Sequence, residues 1–229
     1  MKKLTVVLLI FSIMMAMTSC SSQSSESSET PDAGSLGQVS NIDGNTDISG
    51  GKILIAYFAE AENSEVDVVT SPSIVTINGK TTGRMRALAE MIQDKTGGEL
   101  FSIKTSVKYP AEIDALIDFA AEEKENNARP ELISKIDNLD DYDTVFIGYP
   151  NWWYDMPMVM YSFFEEYDFA NKTIVPFNSH NGSRFSSTIE TIAELEPKAN
   201  VIEDGFTVNE SDVADCSDDL NAWLSGLGF

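Results

Sequence analysis

The feature that most constrains this chain is the regular alternation, from residue 52 onward, of short apolar runs with longer stretches of helical periodicity. "KILIAYF" (52–58) is almost unbroken apolar sequence with β-branched residues, the pattern of a strand covered on both faces. In residues 83–96, Met85, Leu88, Ala89 and Ile92 fall at i, i+3, i+4 and i+7, one face of a helix that Gly97-Gly98 stops. "ELFSIKT" (99–105) alternates polar and apolar residues, as a strand nearer a sheet edge does. Residues 111–127 predict a helix with Ile113, Leu116, Ile117 and Ala120 on one stripe. "DTVFIGY" (143–149) is a third strand, and a helix over 157–167 follows with Pro157 in its first turn. "KTIVPFN" (172–178) is a fourth, followed by a helix over about 187–196 that the capping-box pattern "STIE" opens. "NVIED" (200–204) is a short fifth strand, and Val213, Cys216, Leu220, Trp223 and Leu227 mark a closing helix. The pattern predicts an α/β fold, a doubly wound three-layer sandwich in which a five-stranded parallel sheet carries helices on both faces. Ligands of such sheets bind beyond the carboxyl ends of the strands, at the topological switch point. The loops at 59–83, 149–157 and 178–186 are therefore the candidates for function.

Composition divides the rest of the chain. Lys2 and Lys3 precede an apolar run at 4–17 that is too short to span a bilayer, so 1–19 reads as a signal peptide. The run ends at "MTSC", which resembles the lipobox of bacterial lipoproteins, with Met17 where leucine is commoner. That resemblance implies lipidation at Cys20, the alternative being an ordinary secretory signal with an incidental cysteine. Residues 20–50 are rich in Ser, Gly, Asp and Asn and nearly devoid of large apolar residues, which predicts a disordered tether. The folded domain is expected at 51–229. With Cys20 lipidated, Cys216 has no partner for a disulfide and is read as a small buried hydrophobe. The protein is then expected to be exported, extracytoplasmic, and attached to the membrane through its lipid alone. The formal charge is −22, from 15 basic and 37 acidic residues, and −24 once Lys2 and Lys3 are removed with the leader. Nucleic acid and anionic lipid headgroups are poor partners for such a surface.

The three loops carry distinct chemistry. In the first, "SIVTINGK" predicts a short strand and an Asn-Gly turn. The helix start near Thr81, Thr82, Gly83 and Arg84 offers backbone N–H groups, hydroxyls and a guanidinium to a phosphate, or Thr81 or Thr82 is simply an N-cap. The second loop, "GYPNWWYDMP" (148–157), sets Trp152, Trp153 and Tyr154 between Pro150 and Pro157, with Asn151 as a source of amide hydrogen bonds. Either indole alone fits the rim of a core equally well; side by side at a strand end they favour a flat aromatic ligand. The third loop, "NSHNGSRF", holds His180, the chain's single histidine, with Asn181, Gly182 and Ser183. His180 is either a hydrogen-bonded loop residue or a contact at the same edge as the tryptophans. One histidine and no paired cysteines argue against zinc or haem. No GxSxG, GxGxxG or GxxxxGKS motif is present, and "EEKEN" (122–126) reads as a solvated charged face.

The segments "ILIAYF", "RALAEMIQDKTGGELFSI", "YPAEID…ENNARPEL", "YDTVFIGYPNWWYDMPM" and "KTIVPFNSHNGS" together resemble the flavodoxin family, in its bacterial flavodoxin-like branch, over nearly all of 51–229. The resemblance implies strand order 2-1-3-4-5 and non-covalent FMN, with the phosphate at the first loop and the isoalloxazine between the second and third. It departs at the phosphate loop. Ala59 and Glu60 follow the first strand where hydroxyl residues are typical, and Arg84-Met85 stand where related loops carry Asn-Thr; Thr81, Thr82, Asn63, Ser64 and Arg84 could compensate. Two functions follow as expectations: an FMN redox protein, carrier or small oxidoreductase, with an unidentified redox partner; or a non-enzymatic surface module in which FMN binding is weakened or lost. No side chain is assigned a proton-transfer role.

Overall fold

A computed structural model describes residues 38–40 and 48–229. The expected signal sequence, the expected lipidation site Cys20 and most of the expected tether lie outside the described residues. Strands β1 (Gln38–Ser40), β2 (Ile53–Tyr57), β3 (Ile74–Ile77), β4 (Lys80–Gly83), β5 (Glu99–Ser102), β6 (Thr144–Pro150), β7 (Thr173–His180), β8 (Asn200–Ile202) and β9 (Phe206–Asn209) alternate with helices α1 (Arg84–Thr96), α2 (Ile113–Glu125), α3 (Met158–Glu166), α4 (Thr188–Leu195) and α5 (Ser217–Gly226). The main sheet runs β1-β8-β7-β6-β2-β5, with β9 also on β7, and every pairing in it is parallel. Counted from β2, this is the order 2-1-3-4-5, with β5 on an edge as its polar alternation predicts.

Alternate strand residues go to opposite faces. Leu54, Ala56, Phe58, Val145, Ile147 and Tyr149 enter one core layer with residues of α2, α3 and α4. Ile53, Ile55, Tyr57, Ala59 and Phe146 enter the other, with Leu88 and Ile92 of α1 and Leu220 and Leu224 of α5. Cys216 is buried there, its thiol donating to the Val213 carbonyl at 3.4 Å, and burial pushes its pKa up to about 11. Such a thiol is inert filler.

Several elements differ from the sequence pattern. The fifth strand is two pieces, because β8 pairs with the first half of β7 and β9 with the second. The break falls beside Pro176, where a Cβ on Gly205 would sit 2.5 Å from the Pro176 carbonyl oxygen. Proline has no N–H for a ladder, and the interruption takes place next to it. The closing helix starts at Ser217, with Val213 and Cys216 buried ahead of it. Ser187 makes no side-chain cap at the start of α4, so the capping box is not formed. Within the span expected to be a tether, Gln38–Ser40 pair with β8, and the Ile48 N–H donates to the Leu227 carbonyl at 3.1 Å. The Asn-Gly turn between β3 and β4 forms as expected, with φ 51° at Asn78 and 79° at Gly79. Glu123, read as solvated, is a buried residue of α2, and its Oε2 accepts from the Tyr109 hydroxyl at 3.4 Å.

Candidate ligand-binding cleft

The carboxyl ends of β2, β6, β7 and β9 deliver their loops to one cleft of about 440 Å³. That size is ordinary for a small-molecule site. Of the residues singled out in the sequence, Ala59, Glu60, Arg84, Pro150, Asn151, Trp152, Trp153, His180 and Asn181 line it. Thr81, Thr82, Gly83, Tyr154, Gly182 and Ser183 do not. Thr81 and Thr82 belong to β4, where Thr81 Oγ1 shares a hydrogen bond with Thr76 Oγ1 at 2.8 Å, and Gly83 is the N-cap of α1. Neither threonine is the cap. Tyr154 is 72% exposed.

One wall is apolar. Ile113, Leu116, Ile117 and Ala120 of α2 all line the cleft, and Ile113 and Ile117 are 53% and 42% exposed. The stripe legible in the sequence is therefore shared between core and cleft. Opposite chemistry meets within the tryptophan pair. Trp152 is half-buried, edge-on to Phe58 (centroids 5.7 Å) and Tyr109 (5.5 Å), so part of its role is packing. Trp153 is 49% exposed and sits at φ 54°, with Tyr154 at 63°. The Trp152 N–H donates to the Asp155 carbonyl at 2.9 Å and the Asp155 N–H returns to Trp152 at 3.0 Å, closing a two-residue turn over these left-handed residues. The turn is clamped to α2. Trp153 Nε1 donates to the Ile117 carbonyl at 3.1 Å, while Lys124 Nζ donates to the Trp153 carbonyl at 2.8 Å and pairs with Asp155 at 3.1 Å.

The polar rim holds two buried acceptors without partners. Asn151 gives its Nδ2 to the Arg184 carbonyl at 2.8 Å, and its Oδ1 has no partner. Glu60 is 1% exposed; its Oε2 accepts from Ser71 Oγ, and its Oε1 has no partner. Burial raises the Glu60 carboxyl above the usual range, against the pull of Ser71, Ser73, Ser64 and Arg84. Buried polar atoms without partners are rare and mark places where a ligand or water completes the structure. His180 Nδ1 accepts the Gly182 N–H at 2.8 Å, made possible by φ 96° at Gly182, so the neutral ring carries its proton on Nε2. Burial, then Arg184, lowers its pKa. Arg84 Nη1 pairs with Glu210 at 3.3 Å.

Pro72, Ser73, Met85, Ser179 and Glu210 also line the cleft, and the sequence reading did not single them out as ligand contacts. Met85 was legible as a helix-face residue and as a departure from the phosphate loop, not as a ligand contact. Glu210 was hidden because the second half of the split strand was not anticipated.

A parallel sheet in this order, with a half-apolar cleft at its switch point, defines a flavodoxin-like protein. The Flavodoxin family model matches residues 73–227, and the chain belongs to the flavodoxin family. Among solved structures, a candidate flavoprotein from Bacteroides eggerthii is 26% identical over 79% of this chain and 99% of its own, with a TM-score of 0.59. One from Bacteroides uniformis is 26% identical over 77% and 99%, with a TM-score of 0.58. A flavoprotein from Lactobacillus acidophilus, solved in complex with FMN, shares the fold at 21% identity over 72% and 97%, with a TM-score of 0.51. No curated protein matches the chain.

Proposed function

We propose that this chain is a redox protein whose cofactor is FMN, working outside the cytoplasm on a lipid anchor at Cys20. The observation that carries the reading is the pairing, in one cleft, of an exposed apolar wall with the unpartnered acceptor Asn151 Oδ1. A flavin ring is flat and apolar on its faces and has an imide N–H on its edge. Ile113, Ile117 and Trp153 would cover a face, Asn151 Oδ1 would accept the edge N–H, and His180 Nε2 has a proton to give. Ser73, Arg84 and the first turn of α1 would hold the phosphate. FMN in the Lactobacillus acidophilus relative supports this choice of flavin. The bound flavin supplies the electron chemistry, and these residues bind it, orient it and exclude water. The acidic surface disfavours an anionic reduced flavin, so the potential is expected to be low, and a basic partner protein suits the charge of −24 left once Lys2 and Lys3 are removed from the −22 of the full chain.

The cheapest test is the colour of the purified protein, followed by titration with FMN. Yellow protein, or quenching of flavin fluorescence on titration, supports the reading; a colourless protein indifferent to millimolar FMN removes it. Cys20→Ser should release the chain from the membrane fraction. Release of the unmutated chain without detergent would overturn the anchor. One observation favours a second reading, a binding module with weakened FMN affinity: Ala59 and Met85 bring no hydroxyl to the phosphate end of the cleft, and Glu60 brings a carboxyl.

A further inference from the structure

Glu60 is the residue least suited, in its ionised form, to the place it occupies. It is 1% exposed and lines the cleft, yet Oε1 has no donor. An ionised oxygen buried without a donor gives up hydration for nothing, whereas the same oxygen carrying a proton is a donor that needs an acceptor. The groups facing it do not supply a spare cation. Ser64, Ser71 and Ser73 are neutral, and Arg84 of α1 is shared with Glu210 of the loop after β9. Tyr109 is neutral and gives its hydroxyl to Glu123, and His180 across the cleft is biased towards the neutral ring.

We propose that Glu60 binds the phosphate of FMN as the neutral acid, donating from Oε1, so that FMN binding takes one proton from solvent. The proposal rests on the flavin reading of the cleft. The proton comes from water or buffer and ends on Glu60; no other bond changes. Burial already raises the pKa of this carboxyl, and a phosphate dianion beside it raises it further. The sign follows. Below the free-state pKa Glu60 is protonated with or without ligand, and affinity is flat. Above it, binding must protonate the group, and FMN affinity falls as pH rises, until the bound-state pKa is reached.

The test uses the full-length chain in detergent, titrated with FMN and with riboflavin between pH 6.5 and 8.5. Flavin fluorescence reads affinity, and calorimetry in two buffers of different ionisation enthalpy reads proton uptake. The expected FMN affinity falls as pH rises, by at most about tenfold per pH unit, with proton uptake that accounts for the slope at each pH, while riboflavin, lacking the phosphate, shows neither. In Glu60→Gln the amide still donates, so FMN binding becomes independent of pH above 7 and is tighter than in the unmutated chain at pH 8. The phosphate's own ionisation, near pH 6, is common to both proteins and subtracts out. FMN binding without proton uptake, uptake that persists in Glu60→Gln, or the same pH dependence with riboflavin would each overturn the proposal while leaving the flavin reading standing. Failure to bind either flavin overturns both.

Discussion

Two turns in this protein share one backbone pattern and almost nothing else. At Asn78-Gly79, φ is 51° and 79°; at Trp153-Tyr154 it is 54° and 63°. Positive φ at both central residues is the type I′ pattern, which suits the twist of a hairpin and strongly prefers Asn-Gly. The β3–β4 turn has those residues and lies away from the cleft. The cleft turn uses two aromatic residues, for which left-handed backbone costs roughly 1–2 kcal/mol each. Turn formation alone would never select them. The cleft turn therefore gives up backbone stability that the β3–β4 turn keeps. Trp153 gains a cleft position from the strained turn, and the clamp from Ile117 and Lys124 holds it there.

Substitutions can break this comparison in graded ways. The largest effect is expected from Trp152→Ala. This residue anchors the turn edge-on against Phe58 and Tyr109, so its loss should cost about 3 kcal/mol in urea unfolding as well as flavin affinity. Next comes replacing Trp153-Tyr154 by Asn-Gly, which makes the two turns alike. Stability should rise by about 2 kcal/mol as the strain is relieved, while FMN affinity drops by roughly tenfold to a hundredfold through lost stacking. Unchanged affinity would remove Trp153 from the binding wall.

A third probe is pH. Burial pushes the Glu123 carboxyl, bonded to the same Tyr109 that Trp152 touches, up to about 7. The native state therefore holds a proton that the unfolded chain releases near pH 4.3, and stability falls as pH rises between these values. Glu123→Gln should flatten that window, adding about 1–3 kcal/mol at pH 8 in pH-dependent melts. Placing Ala-Ala at 78–79, the converse of the Asn-Gly swap, should cost about 1–2 kcal/mol with FMN affinity intact. The smallest effect belongs to Tyr154→Gly alone. It should stabilise by about 1 kcal/mol and leave flavin titration unchanged, since Tyr154 does not line the cleft. A loss of affinity here would return Tyr154 to the ligand.

Much of this was legible from local pattern. The alternation of apolar runs and helical stripes, the Asn-Gly turn, the edge position of β5 and the convergence of the tryptophan and histidine loops at one sheet edge all depend on short-range periodicity and on the handedness of crossovers. Periodicity says that a face is apolar without saying what it meets. So Ile113 and Ile117 share one stripe with Leu116 and Ala120 in the sequence, and only the fold buries the second pair and leaves the first exposed in the cleft. The tryptophan pair read as a unit, and only packing divides it into an anchor, Trp152, and an exposed wall residue, Trp153.

What this sequence determined by itself was the order of its elements, the family they spell and the edge at which a ligand would enter, because each is written in neighbouring residues. Tertiary structure alone decided that Glu60 is buried with an empty-handed oxygen, that Glu123 is buried and bonded to Tyr109, that Arg84 is shared with Glu210, and that Tyr154 is exposed and does not line the cleft. Burial and charge pairing depend on groups brought together from distant parts of the chain, and no local pattern carries that information.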